Sequence, residues 1–222
     1  MGYITPKDVK KAIYIDFEGN VDEPPTFLGA LYVDSTTNLD VFIQYVHDET
    51  FYPAGEAKED CINASIEETF TSLTKIASGE DRLFFAWSTR EKKAVEEFLR
   101  SRRLRKLVLE RIIDSKNIAR RWKNRFHRDV EFPYVTGQGR NRLSEYMKLV
   151  GYSVPPTAGP GNTGKRLRDI RTQLTSKAGD YQKLTGVAKR KWTNLLSHNR
   201  HDCLAMRAVS LKAIDQLQRF KY

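Results

Sequence analysis

Cysteine is scarce in this chain, since Cys61 and Cys203 are the only two among 222 residues. They are far apart, which excludes a disulfide framework and a metal-binding cysteine pair. Long apolar runs are also missing, so the sequence predicts no membrane-spanning segment and no membrane partner. The first residues show no signal-peptide pattern, and Pro6 stands where a myristoylation motif requires Ser or Thr. We therefore expect a cytoplasmic protein.

Basic residues are scarce in residues 1–81, where 5 Lys and Arg stand against 16 Asp and Glu, a net charge of −11. Residues 82–222 contain 33 Lys and Arg and 12 Asp and Glu, a net charge of +21. An acidic N-terminal third joined to a basic remainder indicates a polyanionic partner such as nucleic acid. A basic surface that is merely solvated is the alternative. The composition, 40% hydrophobic and 30% charged, is typical of a folded globular domain.

Hydrophobic periodicity predicts alternating strands and helices. Strands are predicted at residues 11–18, 27–33, 39–46, 82–87 and 111–114. Helices are predicted at 65–78, from Ser88 or Thr89 onwards, at 115–126, at 141–151 and over 189–217. This order predicts a single α/β domain over residues 1–222, with a mixed five-stranded sheet flanked by helices.

The first predicted strand, in the stretch KAIYIDFEGN, ends with two carboxylates, Asp16 and Glu18. Residues two apart on a strand share a face, so the two like charges lie side by side. Burying such a pair is costly unless a partner compensates the charge, and a divalent metal ion is the leading candidate. On its own this pair is weak evidence, because carboxylates are common at strand ends.

A metal site needs further ligands, and Mg²⁺ or Mn²⁺ prefers oxygen atoms. Glu91 begins the helix after the fourth predicted strand, and Asp114 ends the fifth strand. His198 and Asp202 are four residues apart in the last helix, so they share one face of it. The alternative for Glu91 is an acidic first turn favoured by the helix dipole, and for His198 it is a capping or packing role.

Three segments, YIDFEG, FFAWSTREKKAV and HNRHDCLAM, resemble in this order and spacing the DEDD exonucleases of the ribonuclease H-like superfamily. The resemblance extends over residues 11–215 and implies a ribonuclease H-like fold. It also implies two Mg²⁺ or Mn²⁺ ions held by four acids, Asp16, Glu18, Glu91 and Asp202. Asp114 resembles a further Asp often found in these proteins. Members of the family cleave phosphodiesters at the 3′ end of DNA or RNA.

Two positions depart from the family pattern. The second motif usually carries Asp, so Glu91 is a longer ligand and Asp114 remains a rival for its place. The third motif usually has Tyr four residues before Asp, or His five before it, whereas His198 lies four before Asp202. The segment is similar to a predicted nuclease branch with Tyr-Asn-x-x-Asp-Cys, with His in the Tyr position. We expect His198 to activate the attacking water, because imidazole exchanges protons near neutral pH.

Trp122 and Trp192 stand among Lys and Arg residues in the basic part of the chain. Proteins that bind single strands combine phosphate contacts with base stacking in this way. We expect contacts to a single strand or a 3′ end from Arg121, Trp122, Lys165, Arg166, Arg168 and Arg200. A core position is the alternative for the tryptophan, and Trp192, Cys203 and Met206 are predicted core residues. Residues 159–165 match most of a P-loop, but the following Arg166 and the missing strand argue against it.

Together these features predict a metal-dependent nuclease, most directly a 3′→5′ exonuclease. A structure-specific endonuclease with the same metal centre is one alternative. A nucleic-acid-binding module without catalysis is the second, and a protein-binding adaptor is the third. The full set of acids argues against a pure nucleic-acid binder, because carboxylates repel a polyanion.

Overall fold

The computed structural model describes residues 4–20, 23–137, 139–153, 155 and 163–219. The strands in these ranges are β1 (Ile13–Glu18), β2 (Phe27–Val33), β3 (Asp40–Val46), β4 (Cys61–Asn63), β5 (Phe84–Ala86) and β6 (Ile112–Asp114). They form one mixed sheet with the order β4-β3-β2-β1-β5-β6. β2 is antiparallel to β1 and β3, whereas β1, β5 and β6 are parallel, as are β3 and β4. The acid-bearing strand β1 therefore lies inside the sheet, with its carboxyl end beside those of β5 and β6.

Five strands were predicted, and all five are present with ends within two residues of the prediction. The number five is nevertheless wrong, because β4 adds a sixth strand at one edge. This strand has three residues, and its middle residue, Ile62, is 45% exposed. A strand so short and so exposed has no alternating apolar pattern, so nothing in the local sequence indicates it.

The helices in the described ranges are α1 (Pro6–Lys11), α2 (Tyr52–Glu56), α3 (Ile66–Gly79), α4 (Thr89–Phe98), α5 (Arg102–Arg111), α6 (Ser115–Phe126), α7 (Leu143–Leu149), α8 (Thr163–Ser176) and α9 (Gly186–Arg219). Ser88 is the N-cap of α4, as predicted, and its side chain accepts a hydrogen bond from the Arg90 backbone N–H. Within these described segments, no helix combines the length and the apolar character needed to cross a bilayer.

The sheet separates two apolar layers. Ile13 and Ile15 of β1 pack with α3, α4 and α5 on one side, whereas Tyr14 packs with α6 and α9 on the other. Because side chains alternate along a strand, Asp16 and Glu18 point to the same side as Tyr14, towards α9. A third apolar cluster surrounds Trp192 and joins α8 to the first half of α9. Trp192 is buried as predicted, and so are the core residues predicted further along α9, Cys203 and Met206.

Trp122 lies in the core and not on the surface. Its ring is fully buried, and its Nε1–H donates to Oε1 of Gln216 at 2.5 Å. The apolar residues Ile118, Ala119 and Trp122 of α6 face the sheet, while Arg121 is exposed. The prediction that Trp122 stacks on a base is therefore wrong, because no face of its ring is accessible.

Candidate active site

Asp16 and Glu18 lie near the end of β1 beneath α9. Glu18 is 8% exposed and Asp16 is half-buried. Burial raises the pKa of Glu18 to about 8, and the nearby charge of Asp202 adds to this increase. Burial, followed by the charges of Glu18 and Asp202, raises the pKa of Asp16 well above its usual range. Without a cation, the carboxyl group of Glu18 therefore favours the protonated form at neutral pH.

Helix α9 supplies His198 and Asp202 to the same place. Nε2 of His198 lies 3.5 Å from Oδ2 of Asp202, and the i, i+4 spacing puts both on one face of the helix. One ligand atom each from Glu18, His198 and Asp202 lies within 4.8 Å of the other two. Burial raises the pKa of Asp202, and the neighbouring His198 opposes that shift. These three side chains, from the first strand and the last helix, are close enough to share one cation.

Glu91 has two roles in the structure. Its Oε2 accepts hydrogen bonds from the backbone N–H and the Oγ–H of Ser88, at 3.1 and 2.9 Å, which completes a capping box for α4. The side chain is buried, and its charge raises the pKa values of Asp16 and Glu18. The Ser88 bonds use one of its two carboxylate oxygens. Glu91 is therefore both the acidic first turn of a helix and a member of the acid cluster.

Asp114 is engaged elsewhere. Its Oδ1 accepts a hydrogen bond from the backbone N–H of Asn117 at 3.0 Å, and its Oδ2 accepts one from Nδ2 of Asn117 at 2.8 Å. Oδ1 thus caps helix α6, and Oδ2 is bound to the side chain of the same asparagine. The charges of Asp202 and Glu91 raise the pKa of Glu18. These contacts favour Glu91 over Asp114 as a member of the acid cluster.

A cleft of about 600 Å³ opens beside Glu18. Arg90 and Arg168 lie along it, Arg90 donating to the backbone O of Gly19 at 2.9 Å and Arg168 to Oδ1 of Asn20 at 3.3 Å. The charge of Arg90 also lowers the pKa of Glu18, against the effect of burial. Arg168, which was predicted to contact nucleic acid, therefore lies beside the acids. Arg90 lines the same cleft, and the sequence did not indicate it as a contact.

The other predicted cations are spread over the surface. Lys165 is exposed and Arg166 half-buried in the first turn of α8, and Arg121 is exposed on α6. Arg200 lies above the ring of Phe42 and 3.5 Å from Oδ2 of Asp60, in a separate groove. The P-loop-like segment falls partly outside the described residues, at 159–162, and Thr163 begins α8.

The sequence motif HNRHDCLAM contains one more buried residue of the cluster, to which the sequence assigned no role. Asn199, adjacent to His198, donates from its side chain to Asp16. Gly29 lies opposite Asp16 in the β1–β2 ladder and leaves the space that the Asn199 amide occupies. A glycine within an apolar strand such as FLGALYV indicates close approach by another group, so the signal was present.

The fold and the site together define an α/β protein with a partly buried carboxylate cluster where parallel strands end, which is the usual position of sites in such sheets. Comparisons with protein-family models, with curated proteins and with solved structures gave no match.

Proposed function

We propose that this protein is a metal-dependent nuclease with a ribonuclease H-like fold, and that it removes nucleotides from the 3′ end of DNA or RNA. The observation that carries the proposal is that acids from three separate segments meet in one partly buried cluster. These acids are Asp16, Glu18, Glu91 and Asp202. Carboxylates that repel one another, and would also repel a polyanionic substrate, have a clear use as ligands of divalent cations.

The arrangement of strands supports the proposed fold. If the short edge strand β4 is set aside, five strands remain, and the strand that carries Asp16 and Glu18 is the central one. Glu91 follows the fourth of these five in chain order, and Asp202 lies on the last helix, α9, which packs against β1. This agrees with what the resemblance to DEDD exonucleases implies.

The donor atoms of the cluster fit Mg²⁺ or Mn²⁺. They are mainly hard carboxylate oxygens in a polar cleft, which these ions prefer. Glu18 and Asp202 would hold one ion, and Asp16 and Glu91 would complete a pair of ions. Metal binding releases the protons that buried carboxyl groups with raised pKa values retain. A bound pair supplies charge stabilisation for the attacking and leaving oxygens of a phosphodiester.

We assign proton transfer and substrate binding to side chains of this protein. His198 accepts the proton of the attacking water, because its imidazole adjoins Glu18 and Asp202 and histidine is the commonest general base. Arg90 and Arg168 in the adjoining cleft bind substrate phosphates. The net charge of +21 over residues 82–222 attracts the rest of the strand.

A time course with a single-stranded, 5′-labelled oligonucleotide in Mn²⁺ tests the proposal. We expect a ladder that shortens from the 3′ end, and we expect Asp16→Ala and Asp202→Asn to abolish it. Asp215→Asn is the matched control, since Asp215 lies on the same helix and pairs with Arg219 at 3.0 Å on the surface. This control should retain the wild-type rate.

Other outcomes would change the assignment. Discrete internal cuts would indicate a structure-specific endonuclease with the same centre. An uncut strand that still shifts on a gel at low salt would favour the nucleic-acid-binding module. If folded protein responds neither to Mn²⁺ nor to nucleic acid, the nuclease proposal is wrong and the protein-binding adaptor is favoured.

A further inference from the structure

The side chain of Asn199 lies between α9 and β1 and is 0% exposed. Its Nδ2 donates to two atoms of one residue, the backbone O and the carboxylate Oδ2 of Asp16, each at 2.9 Å. The two bonds hold both the main chain and the side chain of Asp16. The bond to the carboxylate is made at Oδ2.

Gln44 of β3 determines which way the Asn199 amide points. Nε2 of Gln44 donates to the backbone O of Leu196 and to Oδ1 of Asn199, both at 3.0 Å. Because the Leu196 carbonyl can only accept, the Gln44 side chain must turn its NH₂ group towards α9. The oxygen of Asn199 therefore faces Gln44, and its NH₂ group faces Asp16. Gln44 is buried as well, so water does not compete for these bonds.

Gly29 provides the room for this arrangement. It pairs with Asp16 across the β1–β2 ladder, and a Cβ at this position would lie 2.0 Å from Oδ1 of Asn199. Any side chain at position 29 would therefore displace the amide. The three strands β1, β2 and β3 each contribute one residue that fixes the position of the Asn199 amide.

We infer that Asn199 is a positioning residue which, oriented by Gln44 and seated on Gly29, holds the Asp16 carboxylate in the orientation that binds the divalent cation. The inference rests on the proposed metal centre. Glu18, Asp202 and Glu91 disfavour the ionised form of Asp16, and the hydrogen bond from Asn199 favours it. Hydrogen bonds to a ligating carboxylate typically account for about 10–100-fold in metal affinity.

Calorimetric titration of the full chain with Mn²⁺, without substrate, tests this role. We expect Asn199→Ala to weaken Mn²⁺ binding by about 10–100-fold. Asn63→Ala is the matched control, because Asn63 also donates from its side chain to a backbone O, that of Tyr52 at 3.1 Å, but at the sheet edge. This control should bind Mn²⁺ as the wild type does. Melting in EDTA verifies that each variant is folded.

A purely structural role predicts a different result. Asn199→Ala and Asn63→Ala would then lower the melting temperature in EDTA and leave Mn²⁺ affinity unchanged, which would overturn the inference. If Asn199→Ala does not fold, Asn199→Ser and Gln44→Met replace it, and we expect each of them to weaken Mn²⁺ binding. Gln44→Met keeps the volume of the buried side chain and removes the donor that orients Asn199.

A double-mutant cycle tests whether Asn199 acts through Asp16. In an Asp16→Ala background, we expect Asn199→Ala to cause no further loss of Mn²⁺ affinity. An additional loss of 10-fold or more would show that Asn199 acts independently of Asp16, and the inference would be wrong.

The wild-type titration separates this inference from the proposed function. If wild-type protein binds no Mn²⁺, the metal centre itself is wrong. If the wild type binds Mn²⁺ and cleaves the oligonucleotide, and Asn199→Ala binds Mn²⁺ equally well, only the positioning role is wrong.

Discussion

Asp16 and Gly29 face each other across the β1–β2 ladder, and the Asn199 amide occupies the space above the glycine. The carboxylate and the missing side chain are thus two parts of one arrangement. Because Gly29 has no side chain, the Asn199 amide fits above it and donates a hydrogen bond to the Asp16 carboxylate.

Substitution of Gly29 should destabilise the fold. In Gly29→Ala the new Cβ meets Asn199, and overpacking of this kind typically costs about 1–3 kcal/mol of unfolding free energy. Urea denaturation in EDTA measures the change. Gly79→Ala at the end of α3 is the control, since a Cβ there meets nothing within 4 Å. Equal stability of the two variants would contradict the close packing at position 29.

The stability of the metal-free protein should fall as the pH rises. The folded-state pKa of Glu18, about 8, lies above its ordinary value of 4.5, so the folded chain binds the proton more tightly than the unfolded chain. The contribution to stability is complete below about pH 4.5 and is lost as the pH rises through about 8.

Thermal melting in EDTA between pH 5 and pH 9 tests the pH dependence. Glu18→Gln should flatten the profile, because the amide does not titrate. Saturating Mn²⁺ should raise the melting temperature most at high pH, where the carboxylates are ionised and free to bind it. A profile of the Glu18→Gln protein identical to that of the wild type would assign the pH dependence to other groups.

Arg90 and Arg168 should bind phosphates in the cleft beside Glu18. Each phosphate of a single strand that a cation neutralises adds about 0.7 to the slope of log affinity against log salt concentration. Fluorescence anisotropy of a labelled oligonucleotide, with Asp16→Ala protein to prevent cleavage, measures that slope. We expect Arg168→Ala and Arg90→Ala each to reduce it.

Arg219→Ala is the control for the cleft, because Arg219 pairs with Asp215 at the end of α9. It should leave both the affinity and the slope near those of the parent protein. If Arg90→Ala, Arg168→Ala and Arg219→Ala reduce the slope equally, the cleft does not bind phosphates specifically. The oligonucleotide is then attracted by the net charge of the protein.

Trp122 should matter for stability and not for binding. Trp122→Ala removes a fully buried side chain, which typically costs about 3–5 kcal/mol of unfolding free energy. Tyr134→Ala, at a residue 64% exposed, should cost less than about 0.5 kcal/mol. Trp122→Phe should fold and bind the oligonucleotide as the wild type does, and weaker binding by this variant would restore the stacking interpretation.

Three of the predicted acids lie in locally recognisable places in the sequence. Asp16 and Glu18 end an apolar strand, and Glu91 follows the N-cap Ser88, so local patterns identify them. The choice between Glu91 and Asp114 was different. Each begins a helix after a strand, and only the three-dimensional structure distinguishes the carboxylate near Glu18 from the one that caps α6.

Trp122 and Asn199 show where local patterns fail. Trp122 follows two arginines, which indicated a stacking surface, but its spacing from Ile118 also fits the buried face of a helix. The neighbouring residues in the sequence do not by themselves distinguish a stacking surface from the buried face of a helix. Asn199 has polar and charged neighbours in the sequence and is buried only because α9 crosses β1 and β2. Its role depends on partners in three strands that are distant in the chain.

The bond between Asn199 and Asp16 joins residues 183 positions apart. A chain that emerges from the ribosome therefore carries Asp16 and Glu18 long before the residues that complete their surroundings exist. During that interval the strand can pair with β2, but the cluster has neither Asp202 nor Asn199 until α9 has been synthesised and has docked. Such distant contacts form late in folding, because closing a long loop is entropically unfavourable. The acid cluster is therefore incomplete for as long as the chain is being translated, whatever nucleic acid surrounds it.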